Sequence, residues 1–280
     1  MQKIILTILI LVIGSTSLAV CSDACVEPYD LTSGVSRFFS KVTGQNFIAE
    51  KVAGHLIKKE VKKEFQKGKI KASLKSYSVR DLKAGRFKSI KISAKDLIAD
   101  GAYISSFDAQ TVCDFNYLVP QDDDVLIKEN VPILFETVIS EDDLNKAMNS
   151  NQYKKILDDI NYYSAGLFVI DSTSVKLKNE KMYYVIKYSS LFSNRSREIV
   201  LSSNLYINNG QIDLGNIVFE NKLVSMDINK FSKMLNYINP LDFSFKILEN
   251  KDAKLNIRSV KITNKQINIK GIVTLLKDKE

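Results

Sequence analysis

The sequence predicts an α+β fold in which antiparallel hairpins carry a few helices on one face. Three observations predict it. Between Thr43 and Tyr117 the apolar pattern changes period: Phe47, Ile48, Val52, Leu56, Ile57, Val61 and Phe65 follow helical spacing, whereas Ile70, Ala72, Leu74 and then Phe87, Ile90, Ile92, Ala94 alternate. A period near 3.6 giving way to a period of 2 is a helix followed by a meandering sheet. Hairpin corners stand at Ala99-Asp100-Gly101 and Asn208-Asn209-Gly210, where Gly and Asn tolerate the positive φ that tight turns require. Ser140-Glu141-Asp142-Asp143 places a capping serine and an acidic first turn ahead of Leu144, Ala147 and Met148, the mark of a helix start.

The elements follow in order. Residues Ser22 to Gln45 read as a loose lead-in broken by Pro28, Gly34 and Gly44, with Val35, Phe38, Phe39 and Val42 at the spacing of a short helix. The long amphipathic helix starts near Asn46, a candidate N-cap, and Gly68 is placed to end it. Strands are expected over Lys69–Arg80, Phe87–Leu97, Ala102–Leu118 and Val131–Ile139, with Asp122-Asp123-Asp124 in a loop. After the helix at Ser140, a second short helix spans Gln152–Ile160. Strands return at Gly166–Leu177, Met182–Leu191, Glu198–Ile207 and Gln211–Phe219. A helix is expected over Asp227–Ile238, stopped by Asn239-Pro240, and then strands over Asp242–Leu248, Lys254–Thr263 and Gln266–Leu276. No low-complexity linker divides the chain, so residues 22–280 are expected to form a single domain.

The 280 residues carry a net charge of +8, which suits nucleic acid, an anionic membrane surface, or a merely well-solvated Lys-rich exterior. The N-terminus separates the first two. Lys3 precedes an apolar run from Ile4 to Ile13, ended by Gly14-Ser15-Thr16-Ser17. The run is shorter than the ~20 apolar residues of a membrane span and reads as a secretory signal peptide over residues 1–21. Export, to a periplasmic or other extracytoplasmic site, takes the chain away from nucleic acid. Leu18-Ala19-Val20-Cys21 resembles a lipoprotein box, with Val20 where a small residue is expected. Lipidation at Cys21, ordinary cleavage nearby and an uncleaved anchor all stay open. An oxidising compartment would permit Cys25 to pair with Cys113, although spacing alone does not establish that bridge.

Catalytic furniture is sparse. His55, the one histidine, sits among Leu56, Lys58 and Lys59 on the long helix, and no Gly-x-Ser-x-Gly elbow accompanies it. The acidic pairs Asp122/Asp123, Asp142/Asp143 and Asp158/Asp159 fall at loops and on helices, where carboxylates are commonly solvated or offset the helix dipole. There is no phosphate-binding loop or nucleotide fingerprint, and three cysteines with one histidine make no convincing metal set. The sequence therefore predicts a non-enzymatic protein without cofactor or metal.

The segment Leu82-Lys83-Ala84-Gly85-Arg86-Phe87-Lys88-Ser89-Ile90-Lys91-Ile92-Ser93-Ala94-Lys95-Asp96-Leu97, followed by Asp100-Gly101 and Ile104-Ser105-Ser106-Phe107, resembles the LmeA-like phospholipid-binding family. There a Gly-Arg/Lys-Phe/Ile turn leads into an alternating strand, an Asp-Gly hairpin and a strand opening with a small-residue pair. Ile139-Ser140-Glu141-Asp142-Asp143-Leu144-Asn145 resembles the family's second landmark, and the likeness extends from about Phe39 to Lys277. It implies a tubular lipid-binding-like fold, with a long helix cradled by a strongly curved antiparallel sheet. It also implies phospholipid binding in the bacterial cell envelope, in the setting of glycolipid maintenance.

Two functions follow. In one, acyl chains of a phospholipid or glycolipid lie in an apolar groove between helix and sheet. Phe47, Ile48, Val52, Leu56, Phe65, Ile90, Ile92 and Ile104 are its candidate lining, and Lys58, Lys59, Lys62 and Lys63 are candidate contacts to headgroups or to an anionic membrane surface. At ~0.8 kcal/mol per buried methylene, ten methylenes contribute roughly 8 kcal/mol before ordering costs. In the other, the same residues simply fill the core of an envelope structural or interaction protein. The sequence names no protein partner.

Overall fold

The computed structural model describes residues 25–99, 101–121, 125–164, 169–190, 193–221, 239–241 and 253–278. Helices α1 (Gly34–Val42) and α2 (Gln45–Glu64) lead into strand β1 (Lys67–Ser76). A short α3 (Val79–Lys83) turns the chain into β2 (Arg86–Ala99), β3 (Ala102–Thr111), β4 (Asn116–Pro120), β5 (Val125–Ile127) and β6 (Val131–Ser140). Then come α4 (Glu141–Met148), α5 (Asn151–Tyr163) and strands β7 (Val169–Lys178), β8 (Lys181–Ser190), β9 (Ser193–Asn208) and β10 (Gln211–Phe219). The described C-terminal part is the β11 (Ala253–Thr263) and β12 (Gln266–Leu275) hairpin.

The strands form two antiparallel sheets. The larger runs β11-β12-β6-β3-β2-β4-β5, with β1 added on β2, and the smaller runs β10-β9-β8-β7. Both glycine corners form where expected: Ala99 pairs with Ala102, and Asn208 with Gln211. Alternation places Ile90, Ile92 and Ala94 of β2 inward, and irregularities of the strand on either side bring Phe87 and Leu97 to the same face. They join a single cluster that includes Phe135 and Ile139 of β6, Ile269 and Val273 of β12, and Tyr184, Ile186 and Leu201 of the smaller sheet. Burying one such side chain contributes about 1.5–3 kcal/mol, so the shared cluster holds the two sheets together.

Helix α4 links the sheets through polar contacts. Ser140 caps the helix as expected and Asp143 completes a capping box with it, and the Ser105 hydroxyl also donates to Asp143. Asn145 meets Val175 of edge strand β7 as a strand would: its Oδ1 accepts from the Val175 N–H at 2.8 Å and its Nδ2 donates to the Val175 carbonyl at 2.9 Å. The Glu141 carboxylate accepts from the Leu177 N–H at 2.7 Å. These side chains satisfy backbone groups that an edge would otherwise leave to water or to another chain.

Several expectations are corrected. The helix after Gly44 is long, but it is not the amphipathic helix with one apolar stripe that the spacing suggested. Phe47, Ile48, Val52 and Leu56 are exposed, at 60%, 64%, 55% and 55%. The face on the sheet is Asn46, Ala53, Gly54, Ile57 and Val61. Helical spacing had merged an outward set and an inward set of apolar residues, which adjoin at Leu56. Asn46 is not the N-cap, which is Gly44. Asn46 is buried, accepting from the Ser40 hydroxyl at 2.5 Å and donating to the Tyr77 carbonyl at 3.2 Å. Gly68 lies inside β1, and α2 ends at Glu64 with Phe65 as its C-cap.

The strand expected over Ala102–Leu118 is two strands. Between them Cys113 forms a disulfide with Cys25, and the Asn116 side chain donates to the Lys88 and Cys113 carbonyls at 2.8 and 2.9 Å. These contacts turn the chain out of the β3 ladder. The described part of the lead-in is tied down as well. Besides the disulfide, Tyr29 packs on Phe115 and donates to Glu129 at 2.8 Å, Asp30 pairs with Arg86 at 3.3 Å, and Thr32 bonds Asp81. The proposed signal peptide with Cys21, the Asp122-Asp123-Asp124 loop, the Asp227–Ile238 helix and the Asp242–Leu248 strand lie outside the described residues.

Candidate functional site

An apolar cavity of about 320 Å³ lies between α2 and the larger sheet, at the lower end of the ~300–1,000 Å³ typical of small-molecule sites. Helix α2 supplies Ala53, Leu56 and Ile57; β1 supplies Leu74; and α3 with its following turn supplies Leu82 and Gly85. The sheet contributes Phe87 and Ile90 of β2, Thr111 of β3, Leu118 of β4, Val125 of β5, Val131 and Ile133 of β6, and Leu275 of β12. Among the described residues of the wall the one polar side chain is Thr111, which accepts from the Ile90 N–H at 3.3 Å. Beyond the Thr111 hydroxyl such a wall offers a polar ligand little, and its chemistry suits an apolar one.

Two glycines shape the cavity. Gly54 lets α2 approach β1 closely: a Cβ there would lie 3.1 Å from the Ala72 carbonyl oxygen. Gly85 sits at φ +84° with its carbonyl accepting from the Leu118 N–H at 2.9 Å, and a Cβ there would lie 2.2 Å from the Leu118 oxygen. Only glycine fits such a conformation and so close an approach. The Gly85-Arg86-Phe87 turn thus has a local reason: Gly85 admits β4, Arg86 pairs with Asp30 and lies over the Tyr117 ring, and Phe87 enters the cavity wall.

Asp81 anchors the α3 end of the cavity. It is fully buried, accepting from the Thr32 N–H and hydroxyl at 2.8 Å each and from the Ser78 hydroxyl at 2.5 Å. Burial pushes its carboxyl up, but the hydrogen bonds from Ser78 and Thr32 and the charge of Arg86 outweigh burial and leave it below the usual carboxylate value.

Of the candidates from the sequence, the structure brings Leu56 and Ile90 together on the cavity wall. Phe47, Ile48 and Val52 lie on the opposite, exposed side of α2. Ile92 is buried in the core, while Phe65 and Ile104 pack half-buried against it. Lys58, Lys59, Lys62 and Lys63 are exposed on the C-terminal half of α2, with Lys63 bonded to Glu60 at 2.6 Å. His55 is exposed on the same helix. Asp143 is taken up in the capping box and Asp142 pairs with Lys146, whereas Asp158 and Asp159 are exposed on α5. Among the described residues no group of His, Cys, Asp and Glu is assembled to hold a metal ion, and no helix is long and apolar enough to cross a membrane. Sequence reasoning missed most of the cavity wall. Ile57 and Leu82 carried the best available signal, one on the second apolar stripe of α2 and the other opening the Gly85 turn.

An apolar cavity between a helix and antiparallel strands, open at its Leu56 edge, is the kind of site that admits a hydrophobic ligand. The model of the LmeA-like phospholipid-binding family matches residues 44–272, and the chain belongs to that family. Comparison with curated proteins and with solved structures gives no match.

Proposed function

We propose that this protein is an exported phospholipid carrier of the cell envelope, with acyl chains held in the cavity between α2 and the larger sheet. The observation that carries the reading is the cavity wall, which among the described residues is apolar except for Thr111. The tubular, strongly curved sheet of the family belongs to the same proposal. Headgroup phosphate is met by the exposed lysines of α2. Lys59 and Lys63 follow Leu56 at i+3 and i+7, and so share the stripe of the helix that reaches the cavity edge. Export is supported by the Cys25–Cys113 disulfide, a bond that persists in oxidising compartments, and by the apolar run at Ile4–Ile13.

Native mass spectrometry of the full chain is expected to detect bound phospholipid. Ala53→Trp, which fills the cavity from the α2 side, is expected to abolish both the adduct and the uptake of a fluorescent phospholipid, with the circular dichroism spectrum kept. Lipid-free wild-type protein that takes up no probe would refute the carrier role and favour a filled-core interaction protein.

A further inference from the structure

Helix α1 is inside out. Its inward positions are polar, with Ser40 buried and Ser36 and Arg37 half-buried. Its apolar residues Val35, Phe38, Phe39 and Val42 are 61–68% exposed. Across the Thr43-Gly44 turn, α2 continues the pattern by turning Phe47, Ile48, Val52 and Leu56 outward. Water-exposed apolar side chains on one isolated position need no explanation, but two consecutive helices that display aromatic and branched ones do. The charges beside these stripes have one dominant sign. From Gly34 to Glu64 there are seven Lys and Arg against three Glu. Glu50 turns inward to accept from the Ser76 N–H and hydroxyl, and Glu60 is held by Lys63. Lys41, Lys51, Lys58, Lys59 and Lys62 are exposed, and Lys51 reaches over the Phe47 ring at 4.4 Å.

Apolar stripes flanked by lysines are the composition of helices that lie in the headgroup region of an anionic bilayer, the rings entering the acyl boundary and the ammonium groups meeting phosphates. Leu56 supplies the link to function, since it belongs to the outward stripe and to the cavity wall at once. We propose that the α1–α2 hairpin is the surface by which this protein docks on an anionic phospholipid bilayer, seating the cavity edge at Leu56 against the lipid. Helix α2 is then a wall with membrane on one side and ligand on the other. The inference rests on the carrier reading and adds the site of exchange.

The chain contains no tryptophan, so single-Trp variants report on position. Full-length Phe38→Trp and Ile48→Trp, with Tyr206→Trp on the smaller sheet as the control, are mixed with phosphatidylcholine vesicles with and without phosphatidylglycerol. Blue-shifted emission and several-fold stronger quenching by brominated lipid are expected at 38 and 48 but not at 206, and only when phosphatidylglycerol is present. Lys41→Gln and Lys51→Gln are each expected to weaken binding about fivefold. Equal quenching at all three positions, as anchoring by the N-terminal run alone would give, overturns the proposal. So does an emission already blue-shifted without vesicles in a protein of dimer mass, because a second copy then covers the face. Phe38→Ser/Phe39→Ser is expected to lose docking but to keep uptake of monomeric short-chain phospholipid. Loss of that uptake in the wild type would strike the carrier reading, not the docking surface.

Discussion

Burial alone would raise the Asp81 carboxyl, yet three donated hydrogen bonds and the nearby Arg86 hold it down. A carboxyl depressed in the folded state gives stability that is fully present above its unfolded value, near 3.8, and is lost as pH falls through the folded value. Hydrogen bonds to a charged group contribute about 1.5–3 kcal/mol. Asp81→Asn is therefore expected to lower urea stability by about that amount at pH 7, with the gap to wild type closing in acid as the wild-type carboxyl protonates. An unchanged gap would mean that the charge is immaterial and only shape matters. Nothing in the local sequence marked Asp81. It follows Ser78 at cap spacing, but its other donor, Thr32, is remote in the chain and becomes a neighbour only when the lead-in folds back.

The elements divide into those that local chemistry specifies and those that it does not. The Asn209-Gly210 corner and the Ser140 cap are legible because turn and cap geometry depend on adjacent residues. The single strand expected at Ala102–Leu118 fails because Cys113 and Asn116 break the ladder through distant partners, Cys25 and Lys88. Helix α2 is misread for another reason: periodicity shows that apolar residues recur but not which of two stripes faces the sheet. Gly54 was the overlooked clue: a Cβ there would stand 3.1 Å from the Ala72 carbonyl oxygen of β1, tighter than an ordinary side-chain contact. Gly54→Leu would ordinarily favour a helix by about 0.8–1 kcal/mol. Here it is expected to destabilise the protein and lower phospholipid uptake, as measured by thermal unfolding and probe binding. A stabilised variant would show that α2 does not need its close approach to β1.

At the scale of the molecule, one apolar cluster joins both sheets, the N-terminal lead-in is bound to the larger sheet by the disulfide, and α2 stands between an interior cavity and an apolar outer stripe. The α+β class with antiparallel strands was legible because periodicity recurs along the chain, and the family pattern because its landmarks keep their order. The cavity was not, because its wall gathers side chains from α2, α3 and strands as far apart as β1 and β12. Leu275 comes to line the same cavity as Ala53 only through the β12–β6 pairing and the packing of α2 across the sheet. Membership in a phospholipid-binding family and an apolar chamber of about 320 Å³ are two independent observations that point to one ligand class.

The central claim is that phospholipid acyl chains occupy this chamber. Photo-crosslinking with a phosphatidylglycerol carrying a diazirine near the end of one acyl chain, followed by peptide mapping, tests it most directly. Adducts are expected on the peptides that contain Ala53–Ile57, Leu118 and Val131–Ile133, and they should be competed away by unlabelled phospholipid. Adducts confined to other parts of the chain, or labelling that competitor leaves unchanged, would contradict it.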